Sequence, residues 1–459
     1  MAQIRDQKPR IVSREHVDPV RRIRKTLREH YHEKRTRYGL EGGYSFDAEL
    51  RRLFSDAPEH ADRPSAAAFL RRKAARAREK AAFREHFPKL YGTYEYRAYR
   101  DREIVKIPPF GSYPIRDREE ALLAVTLKLP VFHGLAISLR HRLAQLAVRL
   151  SEVEETRTRQ ELLLRVREAY FGLVQAEKEV ELARKSLARR RAHLRDVRGF
   201  LREGLVARNQ LLEAEAQVEE ARYRLVAAEN RLAVARARLN LLLQRPLSAP
   251  LKVVPEFPEE PVKEAYQSLV KLALRKRPEV QAAELAVKRR EKEVGLARSR
   301  YFPWLDLEAQ YYKRGDSFNL SENPYADREN AWVGLSLNWE LWDWGLRGQE
   351  VAAARAELAA QKFLLKEIRD QVALEVKEAY LGLQAARKEV EAARKGVAAA
   401  RENFRLQRAR FREGLSDTTD VMDAETLLTQ AETHEIAALA AYEIARARLA
   451  YAVGLQELP

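Results

Sequence analysis

Apolar residues recur every seven positions through the second half of the chain. Leu358, Leu365, Val372, Ala379, Ala386 and Ala393 form one series; Val376, Leu383, Val390, Val397 and Phe404, four places on, form another. Two such series make the seam of a left-handed coiled coil, because a seven-residue repeat keeps one stripe of a slightly underwound helix facing its partner. Many seam positions are alanine, which predicts closely packed helices. The pattern runs from about Trp344 to Glu413, roughly 70 residues or about 105 Å at 1.5 Å per residue.

Ahead of this helix the period changes to two. "FPWLDLEAQYY" (302–312) alternates Leu305, Leu307, Ala309 and Tyr311 with Asp306, Glu308, Gln310 and Tyr312. "WVGLSLNWELW" (332–342) alternates Val333, Leu335, Leu337, Trp339 and Leu341 with Gly334, Ser336, Asn338 and Glu340. These predict strands over about 303–312 and 331–342, and "FPKLYGTYEYRAY" with "AVTLKLPVF" predicts an earlier pair over about 88–99 and 123–132. Strands with one apolar face fit a soluble sandwich. Aromatic residues near their ends (Tyr94, Tyr96, Tyr311, Trp339, Trp342) also suit an outer-membrane barrel. Four strands cannot close into a barrel, and lipid does not tolerate open edges. In a membrane, several chains must therefore contribute, in a number the pattern does not fix.

The chain is written twice. Residues 162–244 lie over 372–454 with a constant shift of 210: "KEVELARK" falls on "KEVEAARK", "REGL" at 202–205 on "REGL" at 412–415, and "ARARL" on "ARARL". Composition alone does not keep a glycine in register over such a length, so this is an internal duplication. The organisation expected is a charged segment 1–45, a first repeat 46–244 turning at Gly204, a proline-rich connector 245–276, and a second repeat 277–459 turning at Gly414. Pro64 and Pro278 each follow an arginine and suit the first turn of a helix.

Composition supports long helices: 33% of residues are charged, with only 18 Gly and 18 Pro among 459. The absence of cysteine excludes disulfides, thiolate metal sites and a cysteine nucleophile. His30 and His32 are the one close histidine pair and read as exposed surface residues. A formal charge of +17 raises the question of nucleic acid, but the 85 basic residues interleave with 68 acidic ones, as on solvated helix faces. No run of 18 apolar residues encodes a membrane-crossing helix. The N-terminal 45 residues contain no apolar core, so no secretory signal peptide is visible in them. Phosphate loops, metal-ligand spacings and nucleophile elbows are missing, so an enzyme and a cofactor are not expected.

"AYFGLVQAEKEVELA", "REGLVARNQLLEAEAQ", "FPWLDLEAQYY" with "GLSLNWELWDWG", and "FREGLSDTTDVMDAE", in this order and in duplicate, resemble the TolC family of outer-membrane efflux channels over roughly 46–458. The resemblance implies a mainly α fold with a small β part. Long antiparallel helices in two tandem repeats would each add a β-hairpin to a homotrimeric 12-stranded outer-membrane barrel. It implies a passive conduit of a tripartite efflux or type I secretion system, docked to a periplasmic adaptor and an inner-membrane pump.

Glycine suits the end of a helix because positive φ costs it little, so Gly204 and Gly414 are expected at the helix turns, with Ser416 or Asp417 capping the return helix. By resemblance, Gly204, Leu205, Gly414 and Leu415 form adaptor-docking tips. Asp420 and Asp423, three apart on one helical face, match two acidic pore positions; in a trimer they would form stacked carboxylate rings favouring cations. Glu213 is equivalent to Asp423 and adds charge nearby. Some relatives hold the tip shut with an aspartate, an arginine and a tyrosine. Those places carry Gln210, Ser416 and Phe411 here, so that latch cannot form. The basic N-terminal segment and the overall basic charge depart from the family too. A soluble coiled-coil scaffold is the alternative reading, and has no use for the strands.

Overall fold

The computed structural model describes residues 63–116, 118–251, 253, 257–258, 264–320 and 329–455. The charged segment 1–45, the short helix that "DAELRRLF" (47–54) predicts at the start of the first repeat, and part of the connector lie outside them. In chain order the elements are α1 (Arg63–Arg84), β1 (Lys89–Ala98), β2 (Glu103–Ile107), β3 (Gly111–Arg116), β4 (Glu119–His133), α2 (Ala136–Arg202), α3 (Arg208–Leu242), α4 (Tyr266–Lys276), α5 (Pro278–Ser299), β5 (Trp304–Gly315), β6 (Glu329–Asn338), α6 (Leu346–Arg412) and α7 (Thr418–Val453). The fold is mainly helical. Pro278 opens α5 at its first turn, where its missing N–H costs nothing.

The chain divides into two units. One gathers Arg165–Glu259 and Arg387–Ile444; the other gathers Pro64–Leu164, Glu260–Ala386 and Ala445–Pro459. In the second, four antiparallel strands pair in the order β1-β4-β5-β6, so the strands of the two repeats meet at β4–β5. Register puts Leu90, Leu127, Ala309 and Val333 across one row, and Leu129, Leu307 and Leu335 across the next. Alternate residues face the other way and are polar: Lys128 pairs with Glu308 at 2.8 Å, and Gln310 donates to Thr126 Oγ1 at 2.9 Å. The apolar row is left uncovered at Leu90, Val125, Val333, Leu335 and Leu337. A sheet with a wet face and a dry, exposed face is built for a non-aqueous surround.

Three strand expectations change. β6 ends at Asn338, not at 342, although Trp339 and Leu341 prolong the alternation. The chain leaves the sheet there to reach Asp343, whose carboxylate accepts the backbone N–H groups of Gly345 and Arg347 and so starts α6. β4 begins at Glu119, several residues early, because Glu119 and Glu120 pair with Ala98 and Arg97 and extend the ladder past the apolar stretch. The hairpin β2–β3 was not foreseen, since "EIVKIPPFGSYPIR" mixes three prolines into a short alternation.

In the first unit the heptad prediction becomes a packed interior. Leu187, Leu194 and Val197 of α2 pack with Ala214, Val218 and Ala221 of α3, Phe411 of α6, and Val421 and Met422 of α7. Asn240, wholly buried, donates to the carbonyls of Leu247 and Ala249 and fastens the start of the connector.

Candidate functional site

Each long helix ends in the same turn. Leu205 N–H bonds the Phe200 carbonyl at 2.8 Å and Gly204 N–H the Leu201 carbonyl at 3.1 Å; 210 residues on, Leu415 bonds Arg410 at 2.8 Å and Gly414 bonds Phe411 at 3.1 Å. This paired six-to-one and five-to-two pattern is a Schellman motif. It needs a left-handed residue, supplied by Gly204 and Gly414, both at φ +73°. The turn leaves Leu205 and Leu415 pointing into solvent, 68% and 65% exposed.

The return helices begin differently. In the second repeat Asp417 Oδ1 accepts the Asp420 N–H at 3.0 Å, and Asp420 Oδ2 accepts the Asp417 N–H at 3.4 Å, which is a reciprocal capping box. Ser416 Oγ adds a bond to Asp420 Oδ2 at 2.8 Å, so Ser416 supports the cap without being it. In the first repeat the N-cap is Ala207, which offers no side-chain bond, and Gln210, in the place of Asp420, has a buried Oε1 without a partner. Asp420 and Asp423 are both exposed, whereas Glu213 is half-buried. The structure thus brings Ser416, Asp417 and Asp420 together. Phe411 is buried, edge-on to Phe200 at 5.4 Å and tilted against His193 at 4.9 Å.

Two features of the tip unit escaped sequence reasoning. The first is a buried ionic knot. Glu425, 3% exposed, takes Arg190 Nε at 2.8 Å, Arg189 Nε at 3.2 Å and Ser186 Oγ at 2.8 Å. Arg190 also donates to Thr426 and to Gln217 of α3, and Arg189 reaches Glu432 at 3.2 Å. The knot ties α2 of the first repeat to α7 of the second. A signal existed: Arg190 occupies the seam series that otherwise reads Ala176, Ala183 and Val197. The second is His193, buried with neither ring nitrogen hydrogen-bonded. Burial pushes its imidazole below the usual value, opposed by Asp196 and reinforced by Arg408.

No helix among the described residues is long and apolar enough to cross a membrane, and no cluster of three potential metal ligands occurs among them.

The sequence profile of the family described as "Outer membrane efflux protein" matches residues 62–244 and 269–455, one block for each repeat. Protein CyaE of Bordetella pertussis is 30% identical over 193 residues, covering 42% of this chain and 40% of its own. The alkaline protease secretion protein AprF of Pseudomonas aeruginosa is 30% identical over 244 residues, 52% of this chain and 49% of its own. The chain thus spans less than half the length of either of these relatives. In fold it is similar to the outer membrane protein VceC of Vibrio cholerae, with a TM-score of 0.73 at 16% identity over 89% of this chain and 96% of that one.

Proposed function

The chain belongs to the outer membrane efflux protein family, and on that premise we propose that it is the outer-membrane channel of a tripartite efflux or type I secretion system. It is a passive conduit through the outer membrane and periplasm, gated at its helix tips. The observation that carries this reading is the sheet: β1 and β6 each keep one unpaired edge, and one face is apolar and uncovered. A four-stranded sheet with two open edges is not viable in lipid alone. Three copies joined β6 to β1 close it with twelve strands.

The helices support self-association too. Leu212, Tyr223, Val226, Val234 and Leu241 lie on one side of α3 and are all exposed. An apolar stripe of that length on a long helix is suited to a neighbouring helix. The Gly204–Leu205 and Gly414–Leu415 turns offer identical backbones with a protruding leucine, and we assign them to docking of a periplasmic adaptor, which links the channel to an inner-membrane pump. Asp420 and Asp423 line the constriction, with Glu213 adding charge nearby. The energy for export comes from the pump, and the channel itself performs no covalent chemistry. AprF carries protease secretion in its name, which favours a polypeptide as cargo over a small molecule.

Light scattering on protein extracted from its native cells tests the reading. A detergent-dependent species from the outer membrane near three times 53.0 kDa of protein is expected. A detergent-free rod would favour the soluble coiled-coil scaffold and overturn it. Replacing Asp420 and Asp423 together by alanine is expected to weaken cation selectivity and abolish block by trivalent cations in planar bilayers. Unchanged block would remove both residues from the pore.

A further inference from the structure

Charges differ in and beyond the two turns, but one face of the helices leading into them is the same in both repeats. Arg184, Ala188, Arg191, Arg195, Arg198 and Arg202 of α2 fall on Arg394, Ala398, Arg401, Arg405, Arg408 and Arg412 of α6 at the shift of 210. Between 184 and 202 only one other position is identical, Lys185 with Lys395. Buried positions have changed: Leu187 becomes Val397, Leu194 becomes Phe404 and Val197 becomes Gln407. Steps of four and three place the kept residues on one helical face, about 27 Å long at 1.5 Å per residue. All six on α2 are exposed. Packing preserves cores and lets surfaces drift; here the exposed face is kept and the core beneath it has drifted, which points to binding.

The helix itself has no need of these cations. Attraction to a helix C-terminus is confined to the last turn and so covers Arg202 alone, and arginines three or four apart repel one another. In α6 the chain answers the charge. Arg401 reaches Glu432 at 3.5 Å, Arg405 reaches Glu402 at 2.7 Å, and Arg408 and Arg412 share Asp196 at 3.8 and 3.7 Å. In α2, Arg184 and Arg198 hold Glu229 and Glu215 at 3.0 and 2.8 Å, but among the described residues Arg191, Arg195 and Arg202 have no carboxylate partner. Three free arginines in line call for acid from outside the chain. A second copy has no row of it to offer, because the carboxylates of α3 and α7 are engaged internally: Glu219 and Glu220 by Arg222 and Arg224, Glu435 by Arg394, and Glu425 and Glu432 by Arg189. The face runs down α2 to the turn that presents Leu205.

We propose that this face of α2 receives a helix of the periplasmic adaptor that carries carboxylates three and four residues apart, laid alongside α2 and ending at Leu205. Guanidinium forks grip carboxylates bidentately, and a row of them fixes the partner's register and speeds its approach at low salt. The duplicate face on α6, already neutralised from within, is the weaker of the two. The proposal rests on the docking reading of the Leu205 turn. Photo-reactive benzoylphenylalanine at position 188, among the arginines, tests it in intact native cells, with the same group at position 205 as companion. After irradiation the channel is purified, its oligomeric mass measured and the attached peptide sequenced. Both positions are expected to capture one periplasmic protein, position 188 through a helical segment with carboxylates at the matching spacing. Arg191→Gln, Arg195→Gln and Arg202→Gln together break no internal pair, so the oligomer is expected to persist while capture at 188 falls by about fivefold or more. Capture at 205 with none at 188 would overturn the proposal and leave docking at the turn standing; capture at neither would mean that the docking reading itself has failed. An adduct at 188 with a second copy of this chain, with lipid or with cell-wall glycan would overturn the proposal. So would a captured segment without the acidic row, or a yield that the triple substitution leaves unchanged.

Discussion

The two helix tips share a backbone and differ in almost everything attached to it. Both stop with the same Schellman hydrogen bonds around a glycine at φ +73° and present an exposed leucine. Beyond the turn the second tip starts its return helix with the Asp417–Asp420 capping box and buries Glu425, whereas the first starts at Ala207 without a cap. Glu215, equivalent to Glu425, forms an exposed pair with Arg198 at 2.8 Å. Duplication preserved what geometry demands, a left-handed residue at a helix end, and let charge diverge. The second tip is therefore the electrostatic one. It holds the acidic pair proposed for the constriction and the charged tie to the opposite repeat.

The knot offers the sharpest way to break that contrast. Glu425→Ala strands the guanidinium of Arg190, whose side chain is 4% exposed. Removing one partner of a buried pair costs about 3–5 kcal/mol, while an exposed pair is worth about 0–1 kcal/mol. Loss of helical circular dichroism in guanidinium is expected to move far to lower denaturant for Glu425→Ala and scarcely at all for Glu215→Ala. Arg190→Met combined with Glu425→Leu is expected to recover most of the loss, because an apolar pair leaves no unpaired charge. Equal effects at 215 and 425 would erase the distinction between the tips.

The caps give a smaller, reciprocal test. Asp417→Ala removes the side-chain bond to the Asp420 N–H and is expected to cost about 1 kcal/mol. Ala207 already has the extended backbone a cap requires, φ −82° and ψ 156°, so Ala207→Asp is expected to return a similar amount to the first tip. Amide hydrogen exchange over the first turns of α3 and α7 reads both. If protection at α3 does not rise, the bare cap is not what separates the two helix starts.

Legibility followed the same division between backbone and side chain. The turns could be read because glycine is the residue that left-handed geometry selects, and its double occurrence in register removed chance. The strand faces could be read from strict alternation, as at Leu305–Tyr311. β6 was read too long because Trp339 and Leu341 keep the period for a reason other than pairing, and β2–β3 was hidden by its prolines. Capping by Asp417 was visible as a residue type, but the reciprocal bond from Asp420 was not, since the same aspartate also fits a pore position. The knot went unread because Arg189, Arg190 and Arg191 resemble a solvated run; only the seam register of Arg190 shows that one of the three points inward. Local chemistry is written in sequence, whereas which charge becomes buried depends on a helix from the other repeat.

His193 supplies the smallest effect and a separate handle on the tip core. From its own helix Asp196 faces it and favours the charged form; from α6 Arg408 opposes that form, and Phe411 covers the ring. Asp196 is itself held by Arg408 and Arg412 at 3.8 and 3.7 Å, which blunts its pull on the imidazole. With the folded pKa depressed, the unfolded chain binds the proton first as pH falls through the ordinary histidine value near 6.5. Stability therefore drops on acidification below that point, and the drop ends once the folded imidazole also protonates. One proton limits the slope to about 1.4 kcal/mol per pH unit. His193→Phe keeps a ring against Phe411 and removes the proton, so the stability difference between pH 7 and pH 5 is expected to shrink in that variant by the histidine's share. A pH dependence that survives the substitution unchanged would place the acid sensitivity of the tip in its carboxylates, and His193 would then contribute to the tip core by packing alone.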